Sequence, residues 1–108
     1  MATGLNDSIS SAAALSRLRA GIREILARHL DLRRYRLFLF GSASYGAAGP
    51  GSDIDIGILG EEPVPGRVLE RIRGDLDTLR TLRSFDVVDF YSVDSTFKKA
   101  VLRHAEEL

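Results

Sequence analysis

A chain of 108 residues with fifteen basic and fifteen acidic side chains carries no formal net charge, so it can bury one modest core and has no broad positive field for nucleic acid. It has no cysteine, which excludes disulfides and thiolate ligands, and its two isolated histidines, His29 and His104, do not suggest a zinc site. No apolar run reaches membrane-spanning length and no basic segment leads into an apolar one at the start, so a cytoplasmic location is the default expectation.

In chain order, a polar stretch over 1–11 reads as a flexible tail and 12–108 as a single domain. Leu15, Leu18, Ile22, Ile25, Leu26 and Leu30 recur at helical spacing and predict an amphipathic helix ending near Arg33. Arg36-Leu37-Phe38-Leu39-Phe40 predicts a strand that stops at Gly41-Ser42. A second strand closes at Gly60. After Pro63, Pro65 and Gly66, the stripe Val68, Leu69, Ile72, Leu76, Leu79 and Leu82 predicts a second helix. Ser84 to Tyr91 has strand character. Asp94, Ser95 and Thr96 offer N-caps to a last helix with Phe97, Val101 and Leu102 on its buried side. Helices alternating with strands predict an α/β (α+β) domain, a small mixed β-sheet backed by helices. The many helical arginines lie off the apolar stripes and read as a solvated surface, some paired with Glu24, Glu70, Asp75 or Asp77.

The chemistry concentrates in the middle of the chain. Asp53, Asp55 and Gly57 alternate with Ile54, Ile56 and Ile58, the pattern of a half-buried strand. Both carboxylates would then project from the face opposite the isoleucines, with Cα atoms roughly 7 Å apart. Like charges that close repel unless a cation sits between them, and oxygen-preferring Mg²⁺ suits such a pair. Upstream, Gly41-Ser42-Ala43-Ser44-Tyr45-Gly46 leaves a strand through Gly-Ser, which can turn backbone N–H groups and the Ser42 hydroxyl toward an anion. Gly46 would let the chain pass close to phosphates. Alone the glycine pattern is weak, and so is a lone Asp-x-Asp. Ten residues separate Ser42 from Asp53, short enough to bring phosphate and metal into one site.

Gly41-Ser42, ten residues, then Asp53-x-Asp55 resembles the signature of the DNA polymerase β-like nucleotidyltransferase superfamily, and the short chain is similar to its minimal nucleotidyltransferases, the MNT proteins. The resemblance implies the polymerase β-like fold and a Gly41, Ser42 and Gly46 element holding the triphosphate of ATP. It also implies three acids binding two Mg²⁺ ions, and transfer of a nucleoside monophosphate with release of pyrophosphate. Asp53 and Asp55 would be two of those acids. The third should come from Phe85-Asp86-Val87-Val88-Asp89, where Asp86 and Asp89 point to opposite faces of a regular strand. The family pattern favours Asp86, leaving Asp89 to cap the strand end or meet an arginine. Many MNT proteins are partners of small helical HEPN proteins, some acting as antitoxins that adenylylate the HEPN toxin. The expected partners are therefore a HEPN-type protein and a nucleoside triphosphate, with no membrane and no nucleic acid, and with homo- or hetero-oligomers open.

The chain departs from the family where Gly-Ser-Arg-x-Arg/Lys-Gly is usual, placing Ala43 and Tyr45 at the two basic positions. Each charge-assisted hydrogen bond lost would weaken phosphate binding by about 1.5 to 3 kcal/mol. Arg34, Arg36 and Arg83 are candidate stand-ins. The change leaves open an antitoxin that has lost catalysis and acts by complex formation; a nucleotidyltransferase for a small-molecule acceptor is a separate alternative.

Overall fold

The computed structural model describes residues 3–40, 53–81 and 84–108, with backbone alone for 3–12, 14 and 15. Helix α1 (Thr3–His29) is followed by strands β1 (Tyr35–Phe40) and β2 (Ile54–Gly60), helix α2 (Gly66–Leu76) and strand β3 (Phe85–Asp89). A 3₁₀ turn (Phe90–Ser92), helix α3 (Ser95–Leu102) and the two-residue strand β4 (Glu106–Glu107) complete the chain. The sheet is mixed, in the order β3-β2-β1-β4, with β2 and β3 parallel and the β1 pairings antiparallel. This is the mixed sheet with helices that the alternation of elements predicts.

One face of the sheet carries the core. Ile54, Ile56 and Ile58 of β2, Leu37 and Leu39 of β1 and Val87 of β3 pack against Ile22, Ile25 and Leu26 of α1 and Ile72 and Leu76 of α2. Each fully buried isoleucine contributes about 1.5 to 3 kcal/mol relative to an exposed one, so β2 is pinned in register by its own alternation. A 2.6 Å contact between His29 Nε2 and Asp75 Oδ2 ties α1 to α2. His29 is thus a boundary residue held by a carboxylate.

Helix boundaries differ from the periodicity in explicable ways. α1 begins at Thr3, ahead of the apolar stripe, and stops at His29 rather than near Arg33. Beyond it the Asp31 carboxylate accepts from the Arg33 N–H at 2.9 Å and from its guanidinium, a side-chain-to-backbone bond that bends the chain into a turn. α2 ends at Leu76, although the stripe runs on to Leu79 and Leu82. Thr78 donates its hydroxyl and its N–H to the Asp75 carbonyl, and Leu79 N–H bonds Leu76 O, so the chain tightens out of the helix while Leu79 still packs on the core. Leu82 lies outside the described residues.

Asp94 caps α3 as expected, accepting from the N–H groups of Thr96 and Phe97. Phe97 is not on the buried side: it is 50% exposed, and no residue of α3 is fully buried. β4 has no sequence signal, being two glutamates. Its place comes from pairing with Phe38 and Leu39, from the 2.6 Å Arg19–Glu106 ion pair on one side and from a two-pronged Arg36–Glu107 pair on the other. Arg36 holds the Glu107 carboxyl below its ordinary range. On the opposite edge, Arg73 Nη2 donates to the Val87 carbonyl at 3.2 Å and covers part of β3.

Candidate active site

Side chains directly opposite on neighbouring strands share a face, and the pairing places Phe40, Asp55 and Asp86 in one row across β1, β2 and β3. Asp53 stands just before β2, where Ile54 N–H bonds the Ser84 carbonyl and carries the β2–β3 association to the strand starts. The row lies on the face away from the isoleucine core. Asp55 is half-buried while Asp53 and Asp86 are exposed. Burial foremost, then the charges of Asp86 and Asp53, raise the Asp55 carboxyl above the ordinary aspartate range. An acid pushed upward by burial and two like neighbours is stabilised as a carboxylate by a cation at the same place, and a set of three carboxylates suits a hard divalent ion.

Among the described residues no three histidine or acidic side chains close around one point as an assembled metal cage. The two findings agree, because charges influence one another over several ångströms whereas Mg²⁺ coordination needs oxygens at about 2.1 Å. The acids are neighbours on a face and not a closed cage.

The register separates the two candidates on β3. Asp86 lies opposite Asp55, whereas Asp89 lies opposite Ile58, on the core face. Asp89 caps the strand end instead: its Oδ1 accepts from Tyr91 N–H at 3.0 Å and its Oδ2 from Val64 N–H at 2.8 Å.

Beside the acids the same face is aromatic. Phe90 is fully buried, its ring lies 5.5 Å from that of Phe40, and it occupies the space above Gly57, where an added Cβ would come within 2.4 Å of it. Sequence reasoning missed this packing. The available signal was a glycine inside a strand, which marks close approach of another group.

Gly41, Ser42 and Gly46, with Ala43 and Tyr45, lie outside the described residues, as does Arg83. The described residues that flank the first five, Phe40 and Asp53, stand at the acidic row. Of the other arginines considered for the phosphates, Arg34 is at the far end of the β1–β2 pair. There, with Arg33, Tyr35, Glu61 and Glu62, it lines a cavity of about 170 Å³. That cavity is five residue pairs from Asp55, roughly 17 Å, and takes no part in the acidic site. Arg36 is committed to Glu107 and lies over the Phe38 ring, 5.2 Å from its centre.

The family described as polymerase beta, nucleotidyltransferase, matches residues 20–108. The chain belongs to that family. Solved structures with the same fold include a mutant of the MntA-HpeT toxin–antitoxin, 21% identical with a TM-score of 0.64 over 80% of this chain and 67% of that one. Another is a tri-AMPylated Shewanella oneidensis HEPN toxin in complex with MNT antitoxin, 20% identical, TM-score 0.61, covering 86% and 70%. A third is a toxin–antitoxin with AMP-PNP, 23% identical, TM-score 0.63, covering 82% and 69%. No curated protein matches the chain by sequence. These neighbours bear out the polymerase β-like fold, which the chain shares with the MNT antitoxin of a HEPN complex. Among the described residues no helix is long and apolar enough to cross a membrane.

Proposed function

We propose that this nucleotidyltransferase-family domain transfers AMP from ATP to a hydroxyl of a HEPN-type partner protein, as the antitoxin of a HEPN/MNT pair. The observation that carries the reading is the in-register opposition of Asp55 and Asp86, with Asp53 beside them, on the sheet face away from the core. The neighbouring folds drawn from HEPN–MNT and AMP-PNP complexes support the choice of partner and nucleotide.

On this reading Asp53, Asp55 and Asp86 hold two Mg²⁺ ions, which supply charge neutralisation at the phosphates and lower the pKa of the attacking hydroxyl. Gly41, Ser42 and Gly46 hold the triphosphate through N–H and hydroxyl donors. Asp86, the more exposed of the opposed pair, faces the acceptor and takes its proton. The acceptor oxygen forms a bond to the α-phosphorus as the bond to the β-phosphate oxygen breaks, and pyrophosphate leaves.

The test is transfer of label from α-labelled ATP onto the purified partner in the presence of Mg²⁺. Wild type is expected to label the partner, and Asp55→Asn and Asp86→Asn are expected to lose the transfer. No labelling of any partner, together with no ATP binding by calorimetry, overturns the proposal. Ala43 and Tyr45 at the family's basic positions favour a second reading, neutralisation by complex formation alone. That reading holds if the double change Asp53→Asn, Asp55→Asn leaves toxin neutralisation intact.

A further inference from the structure

We infer that Asp89 is a positioning residue for the acidic site, acting through Phe90. The inference rests on the nucleotidyltransferase reading for its functional meaning and on the following contacts for its physical content. The Asp89 carboxylate is half-buried, and both of its oxygens accept backbone N–H groups: Val64 in the β2–α2 connection at 2.8 Å and Tyr91 in the 3₁₀ turn at 3.0 Å. Two separate segments are therefore clamped to the end of β3 by one side chain. The residue between Asp89 and Tyr91 is Phe90, whose ring lies on the face that carries the acids.

There Phe90 is wedged. Its ring fills the volume over Gly57, two residues beyond Asp55 on the same face, and packs on the Phe40 ring. Phe40 stands directly opposite Asp55 and is the last described residue before the Gly41-Ser42 segment. One path of contact thus runs from Asp89 to Phe90, and from Phe90 to two neighbours of Asp55, Gly57 and Phe40. The wedge fixes the end of β1 against the strand that carries the central acid. Interior packing transmits small displacements, so a loosened Phe90 moves Phe40 and Asp55 relative to each other. Asp89 touches neither metal nor nucleotide, and it is not a catalytic residue.

The test uses the full chain with Asp89→Asn, which keeps shape but retains only one acceptor, and Asp89→Ala, which removes both. Phe90→Leu serves as the comparison. The first readout is amide hydrogen exchange at Phe40 and Asp55 against that at Ile25 and Leu26 in α1. Loss of hydrogen bonds to a charged group is expected to speed exchange about tenfold or more at the first pair and leave the second unchanged. The second readout is Mn²⁺ affinity by calorimetry, expected to weaken about tenfold in Asp89→Ala, less in Asp89→Asn, and to a similar degree in Phe90→Leu.

Exchange that rises equally in α1 and at the site, or not at all, overturns the inference, as does Mn²⁺ affinity equal to wild type in folded Asp89→Asn and Phe90→Leu. If Asp89→Ala does not fold, the Asn variant decides. A wild-type chain that binds no Mn²⁺ sinks the nucleotidyltransferase reading instead, and the exchange pattern still decides whether Asp89 positions the Phe40–Asp55 pair.

Discussion

Replacing Asp55 by asparagine should make the metal-free protein more stable at neutral pH. Asp55 and Asp86 are directly opposed on adjacent strands, which places their charges about 5 Å apart. At that separation Coulomb repulsion is about 0.8 kcal/mol in water and about 3 kcal/mol at an effective dielectric constant of 20. Because Asp86 is exposed and Asp55 only half-buried, the value belongs near the aqueous end, about 1 kcal/mol. In a domain of this size that corresponds to a rise in melting temperature of about 4 to 8 °C.

The sign with pH follows from the direction of the Asp55 shift. Its carboxyl is raised in the folded state, by burial first and by Asp86 and Asp53 next, so the wild type loses stability as pH rises through that elevated value. Below the ordinary aspartate pKa of about 3.9 the penalty is absent, and Asp55→Asn should confer no advantage there. Thermal unfolding of both proteins between pH 3 and pH 8, followed by circular dichroism, measures this. Adding Mg²⁺ at pH 7 should raise the wild-type midpoint and leave the variant nearly unmoved. A variant less stable than wild type at pH 7, or a gain that persists at pH 3, would refute the electrostatic account.

Two glycines should respond to alanine with opposite signs. Gly57→Ala drives a Cβ to within 2.4 Å of the Phe90 ring and should destabilise by about 1 to 3 kcal/mol, whereas Gly74→Ala in α2 meets nothing within 4 Å and should stabilise by about 0.5 to 1 kcal/mol. Urea unfolding of the pair checks both. Ile56→Ala, at a side chain with no exposed surface, should cost about 2 to 5 kcal/mol and lower the urea midpoint without changing the slope. Arg36→Ala should lower the urea midpoint only slightly, because its pair with Glu107 is solvent-exposed, and the difference from wild type should shrink in 1 M salt.

The central strand was legible because its pattern is redundant: three isoleucines at alternate positions fix both the fold's core and the face that bears Asp53 and Asp55. Strand alternation could narrow the expected third acid to two residues on opposite faces, and the preference for Asp86 came from the family resemblance. What separates them is the parallel register of β3 on β2, a relation between segments about thirty residues apart that neither segment encodes alone. β4 was illegible for a similar reason, since two glutamates acquire strand pairing only through β1 and two arginines. Phe97 misled because helical spacing shows which residues share a stripe but not whether anything packs on it. The overrun of α2 reflects a leucine stripe that stays useful to the core after the helix has ended, with Leu79 packing from a turn. The glycine segment, the other half of the expected site, lies outside the described residues.

The departure at Ala43 and Tyr45 gains meaning from where the substitutes stand. Arg34, just before β1, lies six residues from Phe40, roughly 20 Å at strand rise, and lines a separate cavity with Glu61 and Glu62. Arg36 is closer, but it makes two hydrogen bonds to Glu107 and covers Phe38, so drawing it toward the nucleotide would release the short strand that closes the β1 edge. On the proposed reading, Arg34 stands too far away to reach the triphosphate and Arg36 is held by Glu107. Neutralisation then falls on backbone and hydroxyl donors of the glycine segment, on ions held by Asp53, Asp55 and Asp86, and on the partner that brings the acceptor. A nucleotide site short of its own cations should depend more steeply on Mg²⁺ than one with basic residues at 43 and 45. Restoring arginine at both positions should therefore tighten ATP binding by about tenfold or more, the equivalent of at least one charge-assisted hydrogen bond. Calorimetric titration of wild type and the Ala43→Arg, Tyr45→Arg double variant measures it, and an unchanged affinity would show that these two positions do not face the phosphates.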